Sequence, residues 1–111
     1  MHITFVKKIK ADGSPCRKCA EVEQRLQESG QMGRIDAIAI ADERDSQSPG
    51  MLLAAKHRVD VAPFFIVRGD DGTERTYTIY FQFAKEILDR RVSEQDEVKE
   101  LLSRDPSLDL L

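Results

Sequence analysis

The sequence predicts an α/β fold: a mixed four-stranded sheet with helices on its faces, in the order βαβαββα, followed by one more C-terminal helix. Three observations predict it. Apolar runs of strand length alternate with segments of helical period through the first two-thirds of the chain. The segment between the first two strand runs is long enough for the crossover that a parallel pair requires. The last two strand runs are joined by Gly69-Asp70-Asp71-Gly72, whose glycines and Asp-Gly step mark a tight antiparallel hairpin.

Each element has its own signature. Ile3–Ile9 is rich in β-branched and aromatic residues and ends at the turn cluster Asp12-Gly13-Ser14-Pro15. From Cys16 to Ser29 the period becomes helical, with Cys19, Val22 and Leu26 on one stripe and Gly30 as the stop. Ile35–Ala41 is a nearly continuous apolar run, the pattern of a strand buried on both faces, with Asp36 at its start still in water. Residues 41–50 are polar and loop-like. Ser48 followed by Pro49 reads as an N-cap and first-turn proline, opening a helix through about Arg58. Val59–Pro63 connects to the strands Phe64–Arg68 and Thr73–Tyr80. Gln82–Arg91 sets Ala84, Ile87, Leu88 and Arg91 on one side of a helix. Ser93 and Asp96 then cap a short helix through Leu102, and Asp105–Leu111 reads as a loose terminus.

With 111 residues the chain is read as one domain over 1–111, its core at about 3–92 and the added helix and tail at 93–111. Its 41% hydrophobic residues supply one core and its 33% charged residues cover it. A net charge of −3, from 17 Lys+Arg against 20 Asp+Glu, lacks the basic stripe of a general nucleic-acid binder. The longest apolar stretch, Val61–Val67, is far below the ~20 residues that span a bilayer. The apolar start Ile3–Val6 is too short for a secretory signal and runs at once into Lys7, Lys8 and Lys10. These features lead to the expectation of a soluble, cytoplasmic protein with no nucleic-acid or membrane partner.

The cysteines concentrate the chemistry. Both lie in Cys16-Arg17-Lys18-Cys19, and a loop this small gives a structural bridge little entropic value. Redox or metal chemistry is the reading that remains. Cys16 falls at a helix N-terminus, where unpaired N–H groups and the helix dipole favour an anion. Arg17 and Lys18 add cations beside it, so a Cys16 pKa below the free-thiol value of about 8.5 is expected. Cys19 lies one turn later on the same side, and its expected lower exposure suits a resolving thiol. The two cations also favour the reduced form, which makes the pair a more oxidising couple.

Cys16-Arg17-Lys18-Cys19 after a first strand, with Val61-Ala62-Pro63 before a later one, resembles the thioredoxin-like superfamily, and its small glutaredoxin-sized members most. The resemblance extends over roughly Ile3 to Leu88. It implies a three-layer thioredoxin-like fold and a thiol–disulfide oxidoreductase needing no cofactor. By the same resemblance Cys16 is the attacking thiolate and Cys19 resolves the mixed disulfide. Pro63 is cis, and the Ala62 backbone pairs with the substrate. The implied partners are protein or low-molecular-weight disulfide substrates and an electron donor of unspecified kind. The chain departs from the family in three places. It has no Trp, with Pro15 standing before the first cysteine. Lys7, Lys8 and Lys10 occupy the strand that carries a buried acid in thioredoxins. Tyr80-Phe81-Gln82-Phe83 stands where glutaredoxins have a Gly-Gly-Asp type segment.

The alternative is a non-catalytic module of the same fold that uses the cysteine pair for metal, sulfur or partner-protein binding. Structural zinc takes about four ligands, and Cys16 and Cys19 supply two. His2 stands at the far end of the first strand and His57 is expected as a solvent-exposed helix-end residue, so no metal site is assigned. The aromatic series Tyr77, Tyr80, Phe81, Phe83 is expected mainly in the core, with a few rings exposed. The acidic loop Asp42, Glu43, Asp45 is read as solvated surface.

Overall fold

The computed structural model describes residues 1–88. The expected helix from Ser93 to Leu102, Arg91, and the tail from Asp105 lie outside the described residues. Within them the order is β1 (His2–Ile9), α1 (Arg17–Glu28), a 3-10 turn (Met32–Arg34), β2 (Ala37–Asp42), α2 (Pro49–His57), β3 (Phe64–Arg68), β4 (Glu74–Tyr77) and α3 (Tyr80–Glu86). The four strands form one mixed sheet in the order β2-β1-β3-β4. β1 runs parallel to β2 and antiparallel to β3, and β4 is antiparallel to β3.

Alternation along β1 divides the core between two layers. Ile3 and Phe5 join Phe65 and Val67 of β3 on one face, covered by Val22 and Leu26 of α1 and by Tyr80, Phe83 and Ala84 of α3. Val6 joins Ala39, Ala41, Phe64 and Ile66 on the opposite face, covered by Ala54 of α2. The first face is aromatic. Phe65 stacks on Phe5 at 5.0 Å and on Phe83 at 3.9 Å between ring centroids, and Tyr77 meets Phe83 edge-on at 5.8 Å. On the second face the contact between α2 and β2 is made by small residues, Ala39, Ala41, Gly50 and Ala54. A β-carbon on Gly50 would overlap the Ala41 backbone nitrogen and lie 2.6 Å from its Cα, so the first turn of α2 rests directly on β2.

Local chemistry sets the ends of the elements. α1 stops in a paired-carbonyl cap: Gly30, at φ +73°, donates to Gln27 O at 3.1 Å, and Gln31 N–H donates to Leu26 O at 2.9 Å. In the hairpin, Gly69 N–H donates to Thr73 O at 2.8 Å, and Asp71 Oδ1 accepts from Thr73 N–H and Oγ1 at 3.0 and 2.6 Å.

Four expectations change on contact with the structure. The second strand is not buried on both faces: β2 is an edge strand, Ala39 and Ala41 are its buried residues, and Ile38 is 46% exposed. The reason is sheet order, which leaves β2 a single neighbour. Ser48 precedes α2 but does not cap it through its side chain; its hydroxyl instead accepts the Asp42 N–H at 3.0 Å and ties the helix start to the end of β2. The fourth strand ends at Tyr77 and α3 begins at Tyr80, two residues earlier than expected. Tyr77, Tyr80, Phe81 and Phe83 are all buried, so none of these rings is left exposed. Among the described residues no helix is long and apolar enough to cross a membrane.

Candidate functional site

The site forms where β1 leaves the sheet. Lys10 N–H donates to Ser14 O at 2.8 Å and Gly13 N–H to Lys10 O at 2.9 Å, folding residues 10–14 into a tight turn. Gly13 sits at φ +86°, backbone that an L side chain rarely adopts. Asp12 Oδ1 accepts from the Ser14 N–H and hydroxyl at 2.9 and 2.6 Å, and these bonds hold its carboxyl below the usual range. Pro15 then pairs back on Ile9, delivering Cys16 to the start of α1.

Cys16 is the N-cap of α1 in extended conformation, and its Sγ accepts the Cys19 N–H at 3.3 Å. This is the cap geometry usually filled by Ser, Thr, Asp or Asn oxygen, and here a sulfur takes the orphan donor. Cys19 Sγ accepts the Lys8 N–H at 3.4 Å, and Cys16 N–H donates to Lys8 O at 3.1 Å. Cys16 and Cys19 are not joined by a disulfide. Both are also covered, Cys16 at 1% exposure and Cys19 at 3%, so the expected exposure difference between them is absent. The physical reason is the cap itself, which turns Cys16 Sγ inward toward the helix N-terminus, while Ala62 packs against both cysteines in one apolar cluster. The Ala62–Pro63 peptide bond is cis.

The flanking cations are placed differently from the sulfurs. The Arg17 side chain is 91% exposed and lies 3.8 Å from Glu21 Oε1, along the outer surface of α1. Lys18 is half-buried. The electrostatics at Cys16 therefore rest first on the helix N-terminus and the Cys19 N–H, with Arg17 directed into solvent.

His57 is not the solvent-exposed helix-end residue expected from sequence. Its side chain is 12% exposed, and its Nε2 is buried without a hydrogen bond, 3.9 Å from Glu74 Oε2 of β4. The cause is the contact of the α2 end with β4, at the opposite sheet edge from β2. Among the described residues no group of three or more His, Cys, Asp or Glu side chains is assembled to hold a metal ion. A surface depression of about 420 Å³ lies on α1, lined by Glu21, Gln24, Arg25, Glu28 and Ser29, and includes neither cysteine.

Two residues beside the cysteines were not legible as site residues. Lys8 is buried, and its Nζ lies 3.1 Å from Glu43 Oε1. The signal for Lys8 was the alternation of β1, which sets it on the same face as Val6; nothing local marks Glu43 as its partner. Next door, Asp42 accepts from Arg44 Nε at 3.0 Å and Nη2 at 2.9 Å, and the guanidinium holds the Asp42 carboxyl below its ordinary value. No family model, curated protein or solved structure matches this chain.

Proposed function

We propose that the chain is a thioredoxin-like thiol–disulfide oxidoreductase working through Cys16 and Cys19. The observation that carries the reading is the Cys19 N–H donated to Cys16 Sγ at 3.3 Å at the first turn of α1. A donor and a helix N-terminus aimed at one sulfur favour thiolate over thiol, and the thiolate is the attacking species in disulfide exchange. The mixed sheet, the position of the pair at the start of α1, and Ala62 packed beside it are in keeping with the resemblance.

The exchange balances in two displacements. Cys16 thiolate attacks one sulfur of a substrate disulfide, forming a mixed disulfide and releasing the other substrate sulfur as a thiolate, which takes up a proton. Cys19, deprotonated, then attacks Cys16 Sγ, forming the Cys16–Cys19 disulfide and releasing the second substrate thiol. The substrate gains two electrons and the protein dithiol loses two, to be restored by a dithiol or equivalent electron donor. Cys16 is covered at rest, so attack on a substrate disulfide requires its Sγ to be uncovered first. Protein or small-molecule disulfides are the substrates this site fits, with Ala62 and Pro63 forming the wall beside the mixed disulfide. A reducing compartment such as the cytoplasm suits a resting dithiol.

Cys16→Ser is expected to abolish reduction of a model disulfide. Cys19→Ser is expected to accumulate a mixed disulfide on Cys16, read by mass spectrometry of the intact protein. Equal residual turnover in both variants would overturn the roles. The burial of both sulfurs favours a second reading, a non-catalytic module that keeps the dithiol for a partner protein, metal or sulfur. That reading predicts no trapped mixed disulfide in Cys19→Ser.

A further inference from the structure

Among the described residues Lys8 is the one buried charged residue, its side chain 3% exposed. An ammonium taken out of water is costly unless paired, and a buried pair is seldom more stabilising than apolar residues of the same volume. Its presence here therefore asks for a reason other than stability. The neighbouring Lys7 shows the contrast: it pairs with Glu23 of α1 at 2.8 Å in a half-exposed contact that water can replace.

The main chain of Lys8 is what holds the dithiol, since its N–H reaches Cys19 Sγ and its carbonyl takes the Cys16 N–H. The same residue is anchored through its side chain to Glu43. Glu43 in turn grips the end of β1 at three points. Oε1 meets Lys8 Nζ at 3.1 Å, Oε2 accepts the Ala11 N–H at 3.0 Å, and its own N–H donates to Ile9 O at 2.9 Å. Ala11 begins the turn that delivers Cys16.

We infer that the Lys8–Glu43 pair is a positioning clamp for the redox site, fixing the end of β1 and the following turn so that the Lys8 N–H stays aimed at Cys19 Sγ and the Lys8 carbonyl holds Cys16 against the start of α1. The inference rests on the disulfide-exchange reading for its biological use. Lys8 and Glu43 act through Cys16 and Cys19 and touch no substrate.

The test is the pH dependence of alkylation of the reduced full-length chain. Cleavage after Arg17 or Lys18 puts the two cysteines on separate peptides, so each thiol is read by itself. The double variant Lys8→Met/Glu43→Leu removes the clamp without changing net charge. Lys7 with Glu23, and Lys10, Asp12, Arg17, Lys18 and Arg44 in the surrounding segments, are untouched. With the Lys8 carbonyl no longer fixing the Cys16 N–H, Cys16 Sγ moves off the Cys19 N–H and is expected to lose about tenfold in thiolate fraction at neutral pH, a rise of about one pKa unit. Folding is followed by circular dichroism. Lys8→Met alone leaves Glu43 partly solvated and is the second variant, with a shift in the same direction; should the double variant not fold, an unchanged profile in Lys8→Met overturns the clamp. A wild-type profile in a folded double variant overturns it too, and a shift in Lys8→Met without one in the double variant assigns the effect to charge and overturns positioning. Failure of the wild-type pair to close a disulfide, read on the same peptides, overturns the exchange reading and leaves the clamp result standing.

Discussion

The two faces of the sheet are packed by opposite means. Toward α1 and α3 the space is filled by rings, with Phe5, Phe65 and Phe83 stacked in a column and Tyr77 against its end. Toward α2, beside Phe64 and Ile66, the contact with β2 is closed by the absence of side chain: Gly50 lies on the Ala41 backbone, with Ala39 and Ala54 in the same cluster. Bulk gives the first face its hydrophobic stabilisation, whereas close approach gives the second its precision. The end of β2 that α2 presses on leads directly into Glu43, so the small-residue face is mechanically joined to the cysteine site. The aromatic column around Phe83 meets α1 at Val22 and Leu26, beyond the first turn that holds the cysteines, and has no part in the Lys8–Glu43 contact.

Truncation on the aromatic face should show the largest effect on stability. Phe83→Ala removes a fully buried ring and is expected to cost about 3–5 kcal/mol, measured by denaturant unfolding, while the alkylation profile of Cys16 stays that of the wild type. Gly50→Ala is expected to cost less, about 1–3 kcal/mol, because overpacking forces backbone apart rather than leaving a cavity. It should also move the Cys16 profile toward the free-thiol value, since the displaced strand end carries Glu43. If Phe83→Ala moved that profile as far as Gly50→Ala, the division between a stabilising face and a site-positioning face would fail.

The same contrast explains what could be read from residues alone. Runs with strong local chemistry were legible: the strand ending at Ile9, the stripe Cys19, Val22, Leu26, and the hairpin at 69–72. The position of Cys16 at the start of α1 followed from those neighbours. What depended on distant partners was not legible. β2 looked doubly buried because its composition does not reveal that it lies at an edge. Tyr80 and Phe81 suit a strand by propensity, yet helix packing against α1 and the sheet sets their conformation. Lys8 and Glu43 each resemble surface residues, and only the fold brings them within 3.1 Å. The burial of Cys16 depends on Ala62, which arrives from a loop far along the chain.

The disulfide-exchange reading requires that Cys16 and Cys19 form a working redox couple. Its most direct test is an equilibrium redox titration of the purified chain in buffers of defined dithiol potential, with EDTA present. Alkylation and mass spectrometry then report the state of each cysteine at each potential. One reversible two-electron transition is expected within roughly −270 to −120 mV, the span of known thiol–disulfide oxidoreductases. A pair that stays reduced across that whole range, or cannot close, would contradict it and leave the buried dithiol as a binding element.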